Sequence, residues 1–221
     1  SHKCKEIINK DWVNIYDLFT FSNKMIWPRG LPLDYIKKNK IKLKKGIFQN
    51  FYIQQGVCEK NPDVDAIYRL LNEKINIKFK DNYYVSLGKS FSPFNSQNTI
   101  WFKKVFPLLY LPVTCSMRST DIIRSLVSLR IMNNDNKKIL FFGTTMFQKR
   151  NEHNLLKDFE GEIPIYLNSQ NILNILSKLK LKKGSEYYLE NLLKCYKKLI
   201  DYKILKKDEL NFIKAWIKEF D

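Results

Sequence analysis

The chain has 221 residues, 44% hydrophobic and 14% aromatic, which excludes disorder and is enough for one substantial domain or two small ones. Its 39 Lys and Arg against 22 Asp and Glu leave a formal net charge of +17. No apolar run approaches the roughly 18–20 residues of a membrane span, and the Ser1-His2-Lys3-Cys4 start carries no signal-peptide core, so a span within this chain is excluded and the expectation is a cytoplasmic location or the soluble part of a larger, membrane-associated protein.

In chain order, an aromatic-rich stretch from Asp11 to Phe21 leads to Trp27-Pro28-Arg29-Gly30-Leu31-Pro32, which forces a turn. Leu33 to Lys38 suits a short helix. Lys37, Lys38, Lys40, Lys42, Lys44 and Lys45 form a dense basic cluster, read either as an anion-binding patch or as a solvated loop. It lacks the Arg and interleaved aromatics of a nucleic-acid module, so nucleic acid is not the expected partner. Ile47 to Ile53 has strand composition and runs into Gln54-Gln55-Gly56. Asn61-Pro62-Asp63 suits a helix start with Asp63 as N-cap. Asn82 to Leu87 alternates like a strand, and Trp101 to Tyr110 reads as helical or extended.

Ser119-Thr120-Asp121 opens a helix to about Met132, with Ile122, Ile123, Leu126, Leu129 and Ile131 as its buried stripe. Asn133 to Lys138 is a turn and Lys138 to Phe142 a central strand. From Ser169 onward the pattern is helical, with Gly184 as a stop signal. The reading is an α/β region over residues 1–165 followed by a helical C-terminal extension over 166–221, packed on it. The four cysteines (Cys4, Cys58, Cys115, Cys195) are scattered, without metal-ligand spacing, and read as idle thiols of a reducing compartment.

Five polar constellations could carry chemistry, and each has a plainer structural reading. Arg29 on its turn could grip a carboxylate or phosphate bidentately, or form a surface ion pair. Asp63 and Asp65 resemble a metal-binding Asp-x-Asp but are also explained as helix cap and first-turn charge. Ser92-Pro93-Phe94-Asn95-Ser96-Gln97-Asn98-Thr99 suits sugar hydroxyls or an ordinary loop. In Arg118-Ser119-Thr120-Asp121-Ile122-Ile123-Arg124, Asp121 could accept a proton, or the helix could simply be capped by Asp121 or Thr120. His153, within Arg150-Asn151-Glu152-His153, could ligate a metal, donate to a phosphate, or sit at the surface.

The order of these blocks says more than any one of them. Trp-Pro-Arg-Gly-x-Pro-Leu-Asp, Gln-Gln-Gly, Pro-Asp-Val-Asp-Ala-Ile-x-Arg-Leu, Ser-Pro-Phe-Asn-Ser-Gln-Asn-Thr, Leu-Pro-Val-Thr…Asp-Ile-x-Arg and Arg-Asn-x-His-x-Leu-Leu-x-Asp-Phe-Glu, over residues 12–163, resemble the STELLO-type glycosyltransferases. More distantly they are similar to the reversibly glycosylated polypeptides, which include UDP-arabinopyranose mutases. The resemblance implies a GT-A-like mixed sheet with flanking helices, a nucleotide-sugar donor, a hydroxyl acceptor in glycan or polysaccharide synthesis, and Mn²⁺ or Mg²⁺. The family's acidic metal motif lies upstream of the Trp-Pro-Arg-Gly block. Only 26 residues precede Trp27 and they hold no adjacent aspartates, so the expectation is a reduced or missing nucleotide-binding half. Ile36 falls near the site of the sugar-carrying Arg of the polypeptide relatives, so transfer to a separate acceptor fits better than autoglycosylation.

The roles that follow are Asp121 as base and His153 as metal ligand. Arg124 or Arg150 would neutralise the leaving diphosphate. Asn95, Gln97 and Asn98 would orient sugar hydroxyls, Trp27 or Phe94 would stack on a sugar face, and Arg29, Gln55 and Asn151 would complete the substrate contacts. A non-catalytic glycosyltransferase-like interaction module and a basic nucleic-acid-binding domain are the alternatives.

Overall fold

The computed structural model describes residues 4–21, 25–37, 40–72, 77–149 and 151–220. Its centre is a mixed six-stranded sheet in the order β2-β1-β4-β6-β3-β5. The strands are β1 (Cys4–Ile7), β2 (Leu43–Lys45), β3 (Ile53–Glu59), β4 (Tyr84–Ser86), β5 (Thr99–Trp101) and β6 (Leu140–Phe147). β1 runs parallel to β4 and β3 parallel to β6; the other three pairings are antiparallel. Phe141 of the central β6 is in register with Gln55 on one side and Val85 on the other. Strand alternation therefore puts Ile53, Gln55, Val57, Val85 and Phe141 on one face. All but Gln55 belong to the main core, with Ile122, Leu126 and Leu129 of α3 (Thr120–Asn134).

The C-terminal helices α4 (Leu155–Ser177), α5 (Tyr188–Asp201) and α6 (Glu209–Lys218) add Ile165, Leu176, Tyr196 and Ile213 to the same core. α1 (Tyr16–Phe19) and α2 (Ala66–Leu71) are short. The chain is thus an α/β fold with a helical C-terminal end, as its pattern predicts.

Several boundaries differ from the sequence reading. β3 starts at Ile53, because its antiparallel partner β5 reaches only residues 53 to 55; Ile47 and Phe48 before it are exposed. The helix expected over 33–38 is a single 3-10 turn at Leu33–Tyr35, and Lys103–Leu109 forms a seven-residue 3-10 helix that contains Pro107. Asp65, not Asp63, caps α2, accepting the Tyr68 N–H at 2.7 Å. α4 begins 14 residues before Ser169 and runs straight through Gly161 and Pro164, both of low helix propensity. Gly161 instead gives room for Arg118, whose Cγ would lie 3.1 Å from an added Cβ.

Of the lysine cluster, residue 38 lies outside the described residues. Lys44 and Lys45 are on the edge strand β2, where charge also discourages pairing with another strand. Lys44 pairs with Glu6 at 3.2 Å. All four cysteines are free thiols.

Candidate functional site

The site is organised by the Trp27-Pro28-Arg29-Gly30 turn. Gly30 adopts φ 86°, a left-handed conformation that costs a side-chain-bearing residue about 1–2 kcal/mol. A backbone bridge between Pro28 and Val64, with the Arg29 N–H donating to the Asp63 carbonyl at 3.0 Å, ties the turn to the start of α2. The Trp27 indole N–H donates to Asp65 at 2.6 Å, and its ring meets Tyr68 edge-on at 4.9 Å.

So held, Arg29 points into the protein. Its Nε and Nη2 grip Asp63 at 3.0 and 2.8 Å, and Nη1 and Nη2 grip Asp121 at 3.0 Å each. Nη1 also donates to the Arg118 carbonyl, which uses all five guanidinium donors. Burial would weaken the Arg29 charge, but the two carboxylates outweigh it and raise its pKa. Burial would likewise raise Asp63, yet Arg29 holds it below the usual carboxylate range. Asp121 lies in the first turn of α3 and accepts the Ser96 N–H at 3.1 Å. It therefore fixes the 92–99 loop and caps no helix, in contrast to the plainer expectation.

Around this pair opens a cleft of about 260 Å³ lined by Arg29, Asn61, Asp63, Arg69, Ser96, Gln97, Arg118, Asp121, Gln148 and His153. Gln97 donates to the Asn61 carbonyl at 2.7 Å and to the Gln148 side chain, and Asn61 donates to the Gln148 carbonyl at 2.9 Å. These amides form one wall. Arg118 donates to Glu162 from Nε, at 2.9 Å, and from Nη2. It also lies 3.8 Å from Asp158, and His153 Nδ1 sits 3.4 Å from the same carboxylate.

Of the residues expected to meet in one cleft, Arg29, Gln97, Asp121 and His153 do. Others do not. Trp27 and Phe94 are buried to 4% and 1% exposure, so neither presents a ring for a sugar to stack on. Gln55 is turned into the protein, accepting the Asn95 N–H at 2.9 Å and the Thr99 hydroxyl at 3.0 Å. Asn95 accepts the Gln97 N–H at 2.8 Å and shapes the loop from within. Asn98 turns to Val57 and Thr145.

Arg124 stacks over Trp101 at 4.9 Å and donates to the Ser96 hydroxyl at 2.9 Å, so it supports the loop and does not line the cleft. Burial lowers its pKa, opposed by Asp121. Asn151 is exposed and away from the lining, and residue 150 lies outside the described residues.

The sequence reading did not single out Asn61, Arg69, Arg118 or Gln148 as site residues. Arg118 stands inside a chosen block, and Gln148 lies just ahead of another, Arg150-Asn151-Glu152-His153, with no signal of its own. Among the described residues no group of three His, Cys, Asp or Glu side chains could hold a metal. The donor set of His153 and an Asp158 shared with Arg118 does not fit a divalent cation.

A mixed six-stranded sheet with flanking helices and a polar cleft is consistent with a GT-A-like α/β fold. A family model described as STELLO glycosyltransferases matches residues 118–221, from the cleft's Arg118 to the end of the helical region. Two Arabidopsis thaliana proteins, "Probable glycosyltransferase STELLO2" and "Probable glycosyltransferase STELLO1", are 33% and 31% identical over 132 residues. Each match covers 56% of this chain and 17% of the relative. The chain thus spans a minor part of those relatives' length, and together the matches support its assignment to the STELLO-type glycosyltransferase family.

Proposed function

We propose that the chain serves glycosyl transfer from a nucleotide-sugar donor to an acceptor hydroxyl, and that the Arg29–Asp63–Asp121 cleft handles the saccharide. One observation carries this reading: a charge-compensated carboxylate pair and an amide wall, drawn from five separate segments, line one small cleft. Amides and carboxylates are the groups that recognise hydroxyls.

In the proposed step the acceptor oxygen bonds to the anomeric carbon as the bond to the diphosphate oxygen breaks. The diphosphate leaves with the electron pair and the acceptor proton goes to Asp121. Asp121 Oδ1 accepts one hydrogen bond among the described residues, from Arg29, so it keeps acceptor capacity. Arg29 fixes that carboxylate in direction through two hydrogen bonds of 3.0 Å.

The test is transfer of labelled sugar from UDP-sugars to saccharide acceptors by the 221-residue chain. Asp121→Asn lowers the rate at least about 100-fold with the fold retained; unchanged turnover refutes the assignment. A second reading, a non-catalytic module on the same scaffold, draws on the complete occupancy of Arg29's donors. Absence of transfer by the intact, folded chain favours it.

A further inference from the structure

We infer that the cleft receives a neutral saccharide, the hydroxyl-bearing acceptor, and not the diphosphate of a nucleotide sugar. This rests on the glycosyl-transfer reading and names which of its two substrates the site takes. A diphosphate needs uncompensated cations or open backbone N–H groups. Two of the cleft's three arginines, Arg29 and Arg118, are already held by carboxylates.

Three arginines line it, and four carboxylates stand against them: Asp63 and Asp121 on Arg29, Glu162 and Asp158 on Arg118. Arg29 has no donor left, and Arg69 gives Nη2 to the Pro62 carbonyl at 2.8 Å. On a chain of net charge +17, two carboxylates line the cleft and two more pair with its Arg118.

One helix start beside it, that of α2, already holds anions supplied by the protein. Asp121 lies in the first turn of α3 but bonds Arg29 and the Ser96 N–H instead of that helix's own N–H groups. At α2, Asp65 accepts from Tyr68 N and Glu162 accepts from Ala66 N, each at 2.7 Å. What the cleft keeps open is neutral: Gln97 Oε1 and Gln148 Nε2 have no protein partner among the described residues, and they add an acceptor and a donor to the Asp121 oxygen. That set matches hydroxyls, which both donate and accept.

The experiment follows the side-chain amide resonances of Gln97 and Gln148 by NMR in the intact chain. One arm adds neutral trisaccharides of the malto, cello, xylo and manno series; the other adds UDP and inorganic diphosphate, with and without Mg²⁺. The expected result is a shift with a trisaccharide that persists from about 0.05 to 0.5 M salt, because neutral contacts are not screened. Gln148→Ala, at an exposed position, weakens it about five-fold, as loss of one hydrogen bond does. Shifts with UDP or diphosphate at these amides overturn the inference and leave glycosyl transfer standing. No shift with any probe overturns both.

Discussion

Arg29 and Asp121 stand 92 positions apart in the chain and are joined by two hydrogen bonds of 3.0 Å in the lining of the cleft. Asp63 completes the cluster from the opposite side of the guanidinium. A single cation thus locks the 27–30 turn, the start of α2 and the start of α3. Replacing Arg29 by Met strands two largely buried carboxylates, an effect worth about 3–5 kcal/mol. Urea unfolding should show that loss, and the triple variant Arg29→Met, Asp63→Asn, Asp121→Asn should recover most of it by removing the stranded charges. If Arg29→Met unfolds at the parental midpoint, the cluster is not what holds these segments together.

Much of the fold was legible because hydrophobic period is a local signal. The stripe Ile122, Ile123, Leu126, Leu129 announces α3, and the run at Leu140 to Phe142 announces the central strand. The first 14 residues of α4 carry no such signal, because Gly161 and Pro164 disfavour a helix by propensity and tertiary packing, including Gly161 against Arg118, overrides it. In the site, the turn showed that Arg29 would be fixed, but not that its partners would be Asp63 and Asp121. Partner choice across 34 and 92 residues has no local signature. Trp27 and Phe94 mislead for a related reason: an aromatic in a polar block looks available for stacking until tertiary packing, here against Tyr68 and Trp101, buries it.

Asp65 gives the protein a pH-dependent limb. Burial pushes its carboxyl up to about 6, helped by the Glu162 and Asp63 charges and opposed by the Tyr68 N–H and Trp27 bonds. An unfolded Asp titrates near 3.9, so the folded state holds the proton more tightly. Stability is then complete below about pH 4 and declines by about 3 kcal/mol as the pH rises to about 6. Asp17, which burial also raises to about 6, adds a smaller slope of the same sign because its residue is more exposed. Asp63, held low, acts only below that window, losing its stabilisation as the pH falls. Urea titrations at several pH values should show the decline, and Asp65→Asn should flatten most of it. Equal slopes in the two proteins would remove Asp65 as the cause.

Gly30 is under two constraints that can be separated. Its φ of 86° disfavours any side chain, and an added Cβ would lie 2.4 Å from Ile122 Cγ2. Gly30→Ala should cost about 3 kcal/mol, roughly 6–12 °C in Tm. Pairing it with Ile122→Ala removes the clash but not the backbone strain. In an additive case the double variant loses the sum of the two single losses; with the clash relieved it loses less. A Gly30→Ala protein melting with the parent would contradict both constraints.

The helical C-terminal region is anchored by a fully buried carboxylate. Glu209, at the start of α6, accepts from the Tyr110 hydroxyl, from the Val113 and Thr114 N–H groups at 3.2 and 2.8 Å, and from the Thr114 hydroxyl at 2.6 Å. Thr114 Oγ1 in turn accepts the Lys206 N–H at 3.1 Å, closing the loop against α6. Burial and the Glu209 charge both push the Tyr110 phenol upward, so it remains a donor. Glu209→Ala leaves several donors without their acceptor and should cost about 3 kcal/mol. Glu209→Gln keeps one accepting oxygen and should fall between the variant and the parent. Thr114→Ser should be close to neutral, whereas Thr114→Val should lose about 1 kcal/mol with the hydroxyl. Hydrogen exchange locates the effect: in Glu209→Ala, protection should drop at residues 113–114 and along the start of α6 while β3 and β6 stay protected. Uniform loss across the sheet would mean that Glu209 supports the whole fold and not this one junction.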